Sequence, residues 1–163
     1  MISKCDVGDQ APDFDLPTDA GPLRLGDLRG RFVVLFFYPK DDTTGCTAEA
    51  RDFNRLAPRF AAAGAALVGV SPDSVARHVN FKRKHELDAL TLASDPSHAT
   101  LEAYGVWKEK TLYGRKYMGV ERTTAIVDPE GRIARLWRGV KVAGHAEEVL
   151  AALVEAQAAF ARH

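Results

Sequence analysis

Cysteine is scarce in this chain: its 163 residues include two, Cys5 and Cys46. Two thiols cannot build the four-cysteine site of a structural zinc, and there is no C-x-x-C pair. A disulfide scaffold is not expected at this length either. Charge of one sign is also lacking, with 22 Lys+Arg against 22 Asp+Glu. There is no basic field to attract nucleic acid or an anionic membrane, and neither is expected as a partner. No apolar run approaches the roughly 18 residues of a membrane span. The first residues, Met1 to Asp6, lack the apolar core of a signal peptide, so a reducing, cytoplasmic location is expected. Repeats, low-complexity linkers and charge blocks are absent, which predicts one domain over 1–163. A chain of this length can bury a sizeable core. At 46% apolar and 27% charged residues, the composition is that of an ordinary globular chain.

The turn-rich stretch Ala11 to Gly30 predicts a loop and hairpin at the start of the fold. Arg31 to Tyr38 is a near-continuous apolar run, rich in β-branched and aromatic residues and ended by Pro39. It reads as a central strand buried on both faces. Thr44 to Ala63 has helical spacing through Ala48, Phe53, Leu56, Ala57 and Phe60, with Pro58 expected to kink or end a segment and Gly64 to stop it. Ala65–Val70 is a second buried strand, and Pro72 and Ser74 start a helix to about His85. Leu90–Ala93 is a short strand, and Asp95-Pro96 opens a short helix toward Tyr104. Thr123–Asp128 and Arg132–Trp137 flank the hairpin turn Pro129-Glu130-Gly131. His145 to Ala161 is a closing amphipathic helix. Alternating strands and helices demand right-handed crossovers and parallel pairing, and the late hairpin adds antiparallel strands at one side. The expected fold is α/β and thioredoxin-like, a mixed central sheet with helices on both faces and an N-terminal hairpin.

Cys46 follows the first long strand and lies at the start of the first long helix. The first N–H groups of a helix are unpaired and its N-terminal end is positive. A thiolate placed there is stabilised, which predicts a pKa below the reference of about 8.5. The carboxyl edge of a parallel sheet is also where α/β ligands bind. An inert buried cysteine is the rival reading of the same position.

The local sequence is Tyr38-Pro39-Lys40-Asp41-Asp42-Thr43-Thr44-Gly45-Cys46-Thr47-Ala48-Glu49. Its Pro39-x-x-x-Thr43-x-x-Cys46 resembles the active-site motif of the peroxiredoxins, and the wider run resembles their bacterioferritin comigratory protein, or peroxiredoxin Q, branch. Gly8-Asp-Gln-Ala-Pro-Asp-Phe14 resembles the family's opening segment, and Tyr104-Gly-Val-Trp107-Lys-Glu-Lys110 a segment of that branch. Glu121-Arg122-Thr123-Thr124 falls where the family places its catalytic arginine. The resemblance implies a thiol-dependent peroxidase acting on hydrogen peroxide and organic hydroperoxides, with no cofactor and no metal. In that reading Cys46 attacks the peroxide as a thiolate. Thr43 bonds thiolate and peroxide through a hydroxyl that donates and accepts. Pro39 fixes and shields the loop. Arg122 holds the thiolate and stabilises charge on the leaving oxygen. The N–H groups of Gly45 and Cys46 complete the anion pocket, and Glu49 orders Arg122 or a neighbour.

Each residue has a plainer rival. Pro39 can simply end a strand, Thr43 cap a helix, Glu49 sit in a favourable first turn, and Arg122 pair structurally. Tyr38 and Trp107 read as packing aromatics. Asp41-Asp42 reads as solvated turn acids, and the histidines as solvated residues of amphipathic helices. The chain departs from the branch at Arg51, where many members carry a resolving cysteine, and there is none in the region Val75 to His85 either. One-cysteine recycling by thioredoxin or by glutathione and glutaredoxin is therefore expected. Cys5 is the other candidate resolving thiol, against a bystander in a loose N-terminal arm. A monomer or homodimer fits equally. A cysteine hydrolase lacks a matching histidine signature, and a disulfide exchanger would need the absent C-x-x-C. The non-enzyme alternative is a thioredoxin-fold binding or holdase module with little turnover.

Overall fold

The computed structural model describes residues 5–162. Met1 to Lys4, part of the stretch read against a signal peptide, and His163 lie outside the described residues. In chain order the elements are β1 (Asp15–Thr18), β2 (Gly21–Arg24), β3 (Val33–Phe37), α1 (Thr44–Ala62), β4 (Ala66–Ser71), α2 (Val75–His85), β5 (Thr91–Ser94), α3 (Ala99–Ala103), β6 (Trp107–Leu112), β7 (Arg115–Val120), β8 (Thr123–Val127), β9 (Ile133–Arg138) and α4 (His145–Ala161).

Seven strands form one sheet in the order β2-β1-β5-β4-β3-β8-β9. The centre, β3, β4 and β5, is parallel. Antiparallel pairs close both edges, β8–β9 on one and β1–β2 on the other. The sequence reading placed antiparallel pairing on one side of the sheet; the N-terminal hairpin extends the other.

β3 explains why the sheet is buried on both faces. All of Val33–Phe37 is buried, and its side chains alternate with the pleat. Val34 and Phe36 join a cluster with Phe53, Phe60, Phe81 and Leu153 from α1, α2 and α4. Val33, Leu35 and Phe37 join the opposite cluster with Leu101, Tyr104 and Val106. Phe36 stacks on Phe53 with centroids 4.5 Å apart, and burying such a ring is worth about 1.5–3 kcal/mol. That contact pins α1 across the strand that leads to its own N-terminus.

Two expectations fail here. α1 runs unbroken through Pro58. Pro58 is exposed, and the solvent side of a helix is where a missing intrahelical hydrogen bond is best tolerated. The second miss is the β6–β7 hairpin, which stands apart from the main sheet where no strand was expected. Its Trp107–Leu112 strand carries three charges and no clean alternation. Its turn, Tyr113-Gly114, has φ of 50° and 77°. Those angles suit a two-residue hairpin turn, but tyrosine is an uncommon residue there.

Candidate active site

β3 feeds the loop Tyr38–Thr43, and α1 starts at Thr44. Cys46 thus lies in the first turn. The Thr47 N–H is bonded to Thr43 O at 2.8 Å. Helix geometry leaves the N–H groups of Gly45 and Cys46 without intrahelical partners. The Cys46 side chain points inward, 2% exposed.

Arg122 enters from the short link between β7 and β8, where Val140 N–H bonds its carbonyl at 3.0 Å. Its guanidinium forks. Nη2 donates to Cys46 Sγ at 3.3 Å and Nη1 to Glu49 Oε1 at 2.6 Å. A Cβ at Gly45 would lie 3.2 Å from Nη2, so glycine there keeps the path of the guanidinium clear. Burial opposes the charge on Arg122, but Glu49 and Cys46 more than offset it and hold the guanidinium protonated. Burial pushes the Glu49 carboxyl up to about 7 against the pull of Arg122. Its second oxygen, Oε2, is buried with no partner among the described residues, which favours the neutral acid. Glu49 is thus a buried partner of the guanidinium and not merely a first-turn acid.

Thr43 occupies the N-cap position, yet its side chain makes no capping bond. Its hydroxyl donates instead to Lys40 O at 2.8 Å, which leaves the oxygen lone pairs as acceptors. Pro39 is half-buried at the end of β3. Neither makes a hydrogen bond to the thiol. Sequence reasoning grouped six residues; Cys46, Gly45, Glu49 and Arg122 meet directly, while Thr43 and Pro39 flank them on the loop. Arg51 is exposed and, with Thr43 and Thr47, lines an open groove of about 360 Å³.

Beneath that loop lies a polar cluster that sequence reasoning missed. His78 is fully buried and Asp41 nearly so. His78 Nδ1 meets Asp41 Oδ2 at 2.6 Å, and Nε2 donates to Ala93 O at 3.0 Å. The Tyr38 hydroxyl donates to Asp41 Oδ1 at 2.6 Å, and Asp41 N–H to Asp73 Oδ2 at 2.8 Å. Asp41 and His78 are therefore not the solvated residues expected of them. Their burial was illegible because Asp73 and His78 lie 32 and 37 residues from Asp41. Asp42, next in the loop, has φ of 63° and is gripped by His85 and Lys84 from α2, each at 2.7 Å. His145 is also buried, with Nε2 2.8 Å from Thr124 Oγ1.

Cys5 belongs to the other face of the sheet. It is 5% exposed and packs in the cluster that contains Leu35 and Tyr104, whereas Cys46 packs in the opposite one. Arg138 Nη2 donates to its carbonyl oxygen at 2.9 Å. Cys5 is therefore neither a loose bystander nor a neighbour of Cys46.

A mixed sheet with a helix-start cysteine under a forked arginine defines a thiol oxidoreductase of thioredoxin-like fold. Residues 7–136 match the AhpC/TSA family. Peroxiredoxin Bcp of Bacillus subtilis is 47% identical over 149 residues, covering 91% of this chain and 94% of that protein. Peroxiredoxin Bcp of Xanthomonas campestris is 49% identical over 146 residues, covering 88% and 91%. The structure of a Xylella fastidiosa PrxQ Cys→Ser mutant superimposes with a TM-score of 0.88 at 38% identity, covering 94% of this chain and 98% of that one. The Xanthomonas campestris bacterioferritin comigratory protein, described for its alkyl peroxide reduction activity, gives 0.84 at 43% identity over 95% and 99%. The chain belongs to the AhpC/TSA family, among its Bcp and PrxQ peroxiredoxins, and is a thiol-dependent peroxidase.

Proposed function

We propose that this chain, acting as a single domain over 1–163, is a one-cysteine peroxiredoxin of the cytoplasm. It reduces hydrogen peroxide and organic hydroperoxides and is recycled by thioredoxin or by glutathione with glutaredoxin. The observation that carries the reading is the fork of Arg122 between Cys46 Sγ and Glu49. The alkyl peroxide activity described for the Xanthomonas relative supports organic substrates.

In the first step the Cys46 thiolate attacks the terminal peroxide oxygen. An S–O bond forms and the O–O bond breaks. Cys46 is oxidised by two electrons to the sulfenic acid, and the leaving oxygen takes a proton to become alcohol or water. Arg122 stabilises both the thiolate and the charge developing across the O–O bond, as preorganised donors do. Glu49 fixes the plane of the guanidinium. The free N–H groups of Gly45 and Cys46 add donors, and Thr43 Oγ accepts the peroxide O–H. Pro39 holds the loop and removes one N–H that would bring water in.

In the second step an external thiol displaces water from sulfur to give a mixed disulfide. A second thiol then releases Cys46 and carries off the disulfide. An external donor fits because Arg51 occupies the common resolving position and Cys5 packs on the far face of the sheet. The chain works as a monomer or homodimer.

The test is peroxide consumption with dithiothreitol and with thioredoxin. Wild type and Cys5→Ser should turn over at the same rate, and Cys46→Ser should consume nothing. Equal loss in both single mutants would make Cys5 a resolving thiol and end the one-cysteine reading.

A further inference from the structure

We propose that one face of the β6–β7 hairpin is the docking surface for the protein dithiol that reduces oxidised Cys46, a partner whose reactive thiol lies in an apolar patch rimmed by acidic residues. The inference rests on the external-thiol reading above.

Among the described residues, four of the six exposed large hydrophobic ones lie on this hairpin: Leu112, Tyr113, Tyr117 and Met118. Tyr113, at the turn, is 96% exposed. Directly paired residues of an antiparallel ribbon share a face, as do residues two apart along a strand. Lys110 pairs with Tyr117 and Leu112 with Arg115. One face therefore carries Lys108, Lys110, Leu112, Arg115 and Tyr117, and no carboxylate. The other face holds Glu109, Lys116 and Met118. A Cβ at Gly119 would lie 3.3 Å from Lys110 Cδ and 3.4 Å from the Tyr117 ring, as a shared face requires.

This cationic face borders the site. β7 runs directly into Glu121-Arg122, and Lys110 is close enough to Arg122 and Cys46 for its charge to be coupled to theirs. Lys108 is paired with Glu121 at 2.9 Å, and that carboxylate also acts on Lys110, whereas Arg115 forms no ion pair among the described residues. The chain as a whole is neutral, 22 cations against 22 anions, so the excess here is local. Two copies meeting through this face would set like charges against each other, which argues for an acidic partner. A small apolar centre with a charged rim suits the transient contacts of redox encounters, whose rates follow electrostatic complementarity.

The experiment measures thioredoxin- and glutaredoxin-supported turnover, dithiothreitol-supported turnover, and the direct rate of Cys46 oxidation by peroxide. The variants are Leu112→Ser/Tyr117→Ser, Arg115→Glu, and Met118→Ser as the opposite-face control. All three change exposed residues, and thermal melts check that they fold. For the double variant and Arg115→Glu, kcat/KM for the protein donor should fall about tenfold, the scale of one interface hot spot, with the other two rates unchanged. Met118→Ser should stay within about twofold, and raising salt should slow only the protein-donor reaction. Equal kcat/KM for the protein donor in all variants overturns the proposal. So does an equal loss with dithiothreitol, or a wild-type dimer in sedimentation that the variants dissociate. Wild type that turns over with dithiothreitol but with neither protein donor also contradicts it. No turnover with dithiothreitol overturns the peroxidase reading itself, and the docking surface falls with it.

Discussion

Cys46 and Cys5 are thiols of similar burial, 2% and 5% exposed, and each lies beside an arginine. The arginines do different things. Arg122 Nη2 donates to Cys46 sulfur at 3.3 Å, while Arg138 Nη2 is shared between the carbonyls of Cys5 and Tyr104 and lies near the Cys5 thiol as well. Cys46 has the open N–H groups of a helix start, and Cys5 has none. Burial pushes the Cys5 thiol up, and the nearby Arg138 only partly pulls it back. Burial by itself therefore does not make a cysteine reactive. We propose that the donors around the Cys46 sulfur, not its burial, set its reactivity, with Glu49 holding the guanidinium that supplies them.

The largest break of this contrast should come from Arg122→Ala. Removing a charged donor from a developing anion costs roughly 3 kcal/mol, or about a hundredfold in rate. Stopped-flow oxidation by peroxide should fall at least tenfold; an unchanged rate would remove Arg122 from the chemistry. Next is Thr43→Val, which keeps the shape and deletes the hydroxyl. Loss of one neutral hydrogen bond, about 1–1.5 kcal/mol, predicts roughly a tenfold slower reaction with the melting temperature nearly unchanged. Thr43→Ser should keep most of the activity, and equal rates in all three proteins would leave Thr43 with no part in the chemistry.

Arg138→Ala sharpens the comparison from the other side. Arg138 Nη2 bonds the carbonyls of Cys5 and Tyr104. Its loss should cost about 1–3 kcal/mol of stability in a denaturant melt, since charged hydrogen bonds are worth that much. The peroxide rate of the folded protein should not change. A catalytic loss there would mean that the two arginine sites are coupled through the sheet.

The last comparison is in stability against pH. Glu49 has an ordinary value near 4.5 when unfolded and about 7 when folded. Between those values the folded state binds one more proton, so stability falls as pH rises across the window and levels above it. Glu49→Gln should flatten that part of the profile. An identical slope in the variant would place the titration elsewhere.

Much of this contrast was legible in the sequence, and some of it was not. The strand before Pro39 and the helix from Thr44 could be read because apolar spacing and capping are local signals. Those signals place Cys46 at a helix start. Arg122, 76 residues away, could not be brought to the sulfur by periodicity; family resemblance supplied it, and the geometry gave the fork. Glu49 could be named as a partner of Arg122 only through the family resemblance, with a first-turn acid as the rival, because nothing in its neighbours announces burial. The Asp41–His78 pair was missed because its members lie 37 residues apart, and the β6–β7 hairpin because its strands carry no clean apolar alternation. Cys5 was the plainest misreading. A position five residues from the terminus suggested looseness, whereas the far-side core and Arg138 hold it in place.

The most direct test is intact mass and peptide mapping of the reduced protein after one equivalent of peroxide. The account predicts the addition of one oxygen, mapped to the peptide containing Cys46, with Cys5 still free to alkylate and the mass restored by an added dithiol. Loss of two hydrogens with a Cys5–Cys46 linked peptide would contradict it, because the two thiols would then have to meet across the sheet that separates them.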